Sequence, residues 1–104
     1  MRNEQFLADV KASLHRVFAD RLRGVVLYGS MARGDATADS DIDLLVLLNP
    51  PVDLGPDLDA IVRTLYPLQL DLERPINALP IPFPSYEAGE FGLYRNAQRE
   101  GIRA

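Results

Sequence analysis

The sequence contains no cysteine and no tryptophan, and only one histidine and one lysine. Without thiols, disulfides, thiolate metal sites and thiol nucleophiles are all excluded. The single histidine, His15, falls inside a helical pattern and reads as a surface or boundary residue. Lys11 stands alone beside scattered arginines, and the formal net charge is −4. No cationic stripe is available to follow a phosphate backbone, so nucleic acid is not an expected partner. Apolar runs are short too, and none approaches the roughly 20 residues that span a bilayer. The opening residues, Met1-Arg2-Asn3-Glu4-Gln5, lack the unbroken apolar stretch of a signal peptide. The expected address is cytoplasmic, with no membrane association.

What is present is the composition of a soluble globular protein, 47% hydrophobic and 25% charged over 104 residues. That length favours one domain over 1–104. A chain so small buries only about two-thirds of its unfolded surface, so its stability is expected to be modest. Help from a partner subunit, a second copy included, fits that size.

Helical and strand patterns alternate along most of the chain. Phe6, Leu7, Val10, Leu14, Val17, Phe18 and Leu22 recur at helical spacing, predicting a helix over 3–22 with Asn3 as N-cap and Gly24 as stop. Gly24 to Tyr28 reads as a buried strand and Asp41 to Leu48 as a second, ended by Asn49-Pro50-Pro51. A helix over 58–65, capped by Asp57, follows. Ile76 to Ile81 is a third strand interrupted by proline, hence an edge strand or one that ends early. Leu93 to Glu100 is a last helix, with Gly101 suited to a Schellman ending. The fold class is α/β (α+β), a small two-layer domain with a short mixed sheet and helices on one face.

One pattern carries chemistry: Gly29-Ser30, ten residues, then Asp41-Ile42-Asp43. Strand side chains alternate, so Asp41 and Asp43 project from one face. Two carboxylates there repel unless positive charge lies between them. Mg²⁺ fits, taking one or two carboxylates together with phosphate oxygens and water. Gly29 lacks a Cβ and lets backbone approach a phosphate, while the N–H groups of Ser30, Met31 and Ala32 open a helical turn toward the anion. Arg33, one turn on, is in reach of a phosphate oxygen. If the two strands are antiparallel neighbours, phosphate cradle and metal ligands meet at one sheet edge.

The segment Leu27-Tyr28-Gly29-Ser30-Met31-Ala32-Arg33-Gly34-Asp35 through Ser40-Asp41-Ile42-Asp43-Leu44-Leu45-Val46 closely resembles the minimal nucleotidyltransferases, small relatives in the DNA polymerase beta superfamily. The resemblance implies transfer of AMP from ATP, with Mg²⁺, to a hydroxyl acceptor. It implies phosphate binding by Gly29 and Ser30 and metal binding by Asp41 and Asp43. It further implies an antitoxin role beside a HEPN-domain toxin, in some relatives by adding AMP to a tyrosine of that toxin. The family's third carboxylate is not evident. Asn77, within Ile76-Asn77-Ala78-Leu79, occupies its expected place, and an amide brings neither charge nor general-base capacity. Asp71, and less so Glu73, would substitute if the third strand began earlier. Two rivals follow: a weak or inactive antitoxin that neutralises its partner by binding, and an aminoglycoside-type transferase, which generally needs an extra substrate domain. A Rossmann binder is disfavoured, since no Gly-x-Gly-x-x-Gly follows the first strand.

Overall fold

Four strands form one mixed sheet in the order β3-β2-β1-β4. The computed structural model describes residues 2–104. β1 (Leu22–Tyr28) runs antiparallel to β2 (Ile42–Leu48), which runs parallel to β3 (Ile76–Pro82). β4 (Ile102–Arg103) adds a short antiparallel edge to β1. The expected antiparallel pairing of the first two strands is present, with Tyr28 opposite Asp43.

Alternation along β2 divides the molecule into two packing layers. Ile42, Leu44, Val46 and Leu48 point to one face with Val25 and Leu27 of β1. α1 (Asn3–Phe18) and α3 (Leu54–Leu70) cover that face, burying Phe6, Leu7, Val10, Leu14, Phe18, Ile61 and Leu65. A fully buried Leu or Phe contributes about 1.5–3 kcal/mol, so this layer is the main source of stability. The expected helices on one face are these two. Leu45, Leu47 and Val26 point the other way, against α4 (Phe83–Ala88) and α5 (Gly92–Glu100). The second face is therefore covered at one end only, and its other end carries Tyr28, Asp43 and Asn77.

Several boundaries differ from expectation, each for a tertiary reason. The first helix stops at Phe18 and passes through a 3₁₀ turn over Ala19–Arg21, rather than continuing to Leu22. That turn is held from outside: Arg21 donates to Asp57 and to the Pro51 carbonyl, and Asn49 N–H donates to the Arg21 carbonyl. Val17, counted in the apolar stripe, is 52% exposed. Arg2, not Asn3, is the N-cap. Gly24 stops no helix; it lies within β1 where the register shifts against β2. α3 starts at Leu54 and reaches Leu70, and Asp57 is not its cap. Its carboxylate accepts from the Asp53 N–H and from Arg21 instead. Gly101 ends α5 in an extended conformation, without the left-handed turn of a Schellman motif.

Candidate active site

β1 ends at Tyr28, and the chain turns at Gly29 with φ 75° and ψ −157°. L side chains rarely adopt such a φ, and only glycine enters it without strain. A Cβ built there would lie 2.6 Å from Asp43 Oδ2. The turn and the acid of the next strand are thus in direct apposition. α2 (Ser30–Arg33) begins immediately, closed by Arg33 N–H to the Gly29 carbonyl at 3.1 Å and by Gly34 N–H to the Ser30 carbonyl at 3.0 Å. The N–H groups of its first residues have no partner within so short a helix.

The loop that returns to β2 is tied down before Asp41. Thr37 N–H donates to Ser40 Oγ at 2.9 Å, and Arg74 Nη1 donates to the carbonyls of Thr37 and Ser40. Asp41 is exposed just ahead of β2, and Asp43 is half-buried within it. On the parallel strand, Asn77 stands in register with Asp43 and donates from Nδ2 to Asp41 Oδ2 at 2.8 Å. Burial pushes the Asp43 carboxyl above the usual carboxylate range; the nearby Asn77 amide, whose hydrogen bond goes to Asp41, offsets part of this, and the Asp41 charge adds to it. Tyr28 is raised as well, chiefly by burial and then by the Asp43 charge.

Arg33 lies on the flank toward α5. Its Nε meets Asp35 at 3.2 Å and its Nη1 meets Glu100 at 3.8 Å. Between the Gly29 turn and α5 opens a cleft of 220 Å³, lined by Tyr28, Gly29, Arg33, Leu93, Asn96 and Glu100 among others. The structure thus brings together Gly29, Ser30, Asp41, Asp43 and Asn77, with Arg33 beside them on carboxylate partners of its own.

Asp71 does not join this group, a correction to the sequence reading. Because α3 runs five residues beyond the expected Leu65, Asp71 caps the helix instead of opening β3. It lies near Phe6 and Leu68, on the helix-covered side of the sheet. Among the described residues, no third His, Cys, Asp or Glu converges with Asp41 and Asp43, which also leaves Glu73 outside. Two residues near the site escaped sequence reasoning. Arg74 pins the loop and Glu100 meets Arg33, and only the folded packing of β3 and α5 brings them there.

Chemically, two carboxylates share an open face against a backbone turn rich in unpaired N–H groups. That donor set suits a divalent cation whose other ligands are phosphate oxygens and water. Comparison with known proteins identifies the family. Over 58 residues the chain is 34% identical to putative protein adenylyltransferase MJ0604 of Methanocaldococcus jannaschii, covering 56% of this chain and 58% of that protein. It is 36% identical over 44 residues to putative protein adenylyltransferase MJ0141 of the same organism, covering 42% of this chain and 44% of the relative. The matches therefore span only about half of those relatives. Two crystal structures share the fold: a toxin–antitoxin with AMP-PNP, and a mutant of the toxin–antitoxin MntA-HpeT. The first has a TM-score of 0.61 at 20% identity, covering 91% of this chain and 69% of that one. The second has a TM-score of 0.62 at 16% identity, covering 99% and 72%. A family model described as a nucleotidyltransferase domain matches residues 11–102, nearly the whole chain, and the chain belongs to that family.

Proposed function

We propose that this chain transfers AMP from ATP to a hydroxyl on a partner protein, and that it acts as an antitoxin on a HEPN-type toxin whose tyrosine is the acceptor. One observation carries the chemistry: a glycine turn lies against Asp43 on the same open face as Asp41, with a Cβ position only 2.6 Å from the carboxylate. Family membership supports nucleotidyl transfer. The partner and its role draw support from relatives named as protein adenylyltransferases and from folds seen in toxin–antitoxin structures.

In this reading Gly29 admits the triphosphate against the backbone, and Ser30 contributes N–H and hydroxyl donors. Arg33 moves from its carboxylate partners to a phosphate oxygen. Asp41 and Asp43 hold Mg²⁺, which when bound neutralises phosphate charge and polarises the α-phosphorus. The acceptor oxygen bonds to that phosphorus as the bond to the bridging oxygen breaks and pyrophosphate departs. Its proton passes to a carboxylate of the pair or to water.

Incubating the complex with ATP and Mg²⁺ and weighing intact chains tests the proposal. A gain of one AMP on the partner is expected, lost in Asp43→Asn. Asn77 favours a second reading, a non-catalytic antitoxin that covers its partner, because it supplies an amide where a third acid would serve as base. Absence of AMP under every condition, with the complex intact, would establish that alternative.

A further inference from the structure

The acid pair has a neighbour whose chemistry sets how much positive charge it can carry. Asn77 stands opposite Asp43 in the β2–β3 register, and its Nδ2 donates to Asp41 Oδ2 at 2.8 Å. We propose that Asn77 restricts the centre to one divalent cation, carried in with the nucleoside triphosphate, where a carboxylate at the same position would admit two. The inference rests on the nucleotidyl-transfer reading of this site and adds the number of ions to it.

Charge is the first argument. Two dications about 3.5–4 Å apart, as in two-metal phosphoryl-transfer centres, repel each other and need anionic ligands around both. Asp41 and Asp43 supply two negative charges, and among the described residues no further acid, histidine or cysteine converges on them. With the triphosphate adding its oxygens, that set matches the one or two carboxylates that a single Mg²⁺ takes. Lone pairs are the second argument. A carboxylate that bridges two ions commonly uses both oxygens, and Asp41 Oδ2 already accepts from the Asn77 amide, which competes for one of its lone pairs. Orientation is the third. The amide turns its nitrogen toward Asp41, because the opposite orientation would set two acceptor oxygens face to face. Residue 77 therefore presents a neutral amide beside the acid pair, where a carboxylate would add a negative charge.

The test counts ions directly. Mn²⁺ is titrated into the protein with a non-hydrolysable ATP analogue, and free Mn²⁺ is followed by its paramagnetic resonance signal. One Mn²⁺ per chain is expected for the native protein and two for Asn77→Asp, with spin–spin broadening in the variant only. Without cation, Asn77→Asp should also melt below the native protein, because three carboxylates then crowd one face. Mn²⁺ should raise its melting temperature more than the native one. Two ions on the native chain would overturn the inference while leaving nucleotidyl transfer standing. No ion in the presence of the nucleotide would overturn both. A count of one in Asn77→Asp, folded by circular dichroism, would show that residue 77 does not set the number. The native count needs no variant to fold.

Discussion

Gly29 is the point where backbone conformation and site chemistry constrain each other most tightly. At φ 75° an added methyl is strained before it meets anything, and at 2.6 Å from Asp43 Oδ2 it also collides with the acid. Gly29→Ala should therefore lower unfolding free energy by about 1–3 kcal/mol and abolish the proposed AMP transfer. Urea denaturation and intact-mass measurement check the two effects separately. Gly29, Ser30, Asp41 and Asp43 were legible because strand alternation and a ten-residue return follow from local rules. Asn77 was legible as a position, through the apolar pattern around it. Its hydrogen bond to Asp41 was not, since that depends on which strands lie side by side. Asp71 misled because sequence periodicity did not reveal that α3 continues through Pro67.

Among the elements, β3 explains how a strand with one proline inside it and one at its end survives at the margin of a sheet. Ile42 N–H bonds the Pro75 carbonyl, and the register then turns Asn77, Leu79 and Ile81 toward β2. Pro80 and Pro82 fall on the outward side, where they remove donors that the ladder does not use. The outward Ile76 N–H is bonded to Gln69 Oε1 at 2.7 Å. An edge so depleted of donors resists pairing with other strands. Replacing Pro80 and Pro82 together by valine should restore two outward N–H groups and promote self-association, visible as larger species in sedimentation velocity. The sequence predicted an edge strand from Pro75 and Pro80, of which only Pro80 lies inside β3. It did not predict α4 or β4: Phe83-Pro84 opens a helix of six residues, and Ile102–Arg103 is too short to show a period. Proline in the first turn is the one local signal that α4 offered.

For the molecule as a whole, the contact that joins the 3₁₀ turn after α1 to α3 sets its response to acid. Asp57 is buried and accepts from Arg21 at 3.0 and 3.1 Å, which holds its carboxyl below the usual range. A carboxyl with a lowered folded pKa binds fewer protons folded than unfolded. Its contribution is complete above the ordinary value near pH 4 and is lost as pH falls through the lower folded one. Urea midpoints should thus decline below about pH 4, and Asp57→Asn should flatten that decline. At neutral pH, Asp57→Ala should cost about 1–3 kcal/mol. A fully buried pair would cost more, but the Arg21 side chain is 38% exposed and water screens it. Asp43 acts with the opposite sign, because its raised pKa weakens stability as pH climbs past the ordinary carboxylate value.

The unevenly roofed second face has a further consequence. Helices α4 and α5 wall off one end of it, while Asp41, Asn77 and Leu79 lie exposed at the other. The acids are thus approachable from the β3 side, and the only wall beside the Gly29 turn among the described residues is the one that α5 supplies. Under the proposed reaction, bulky substitutions at exposed Leu79 should hinder the acceptor more than the nucleotide.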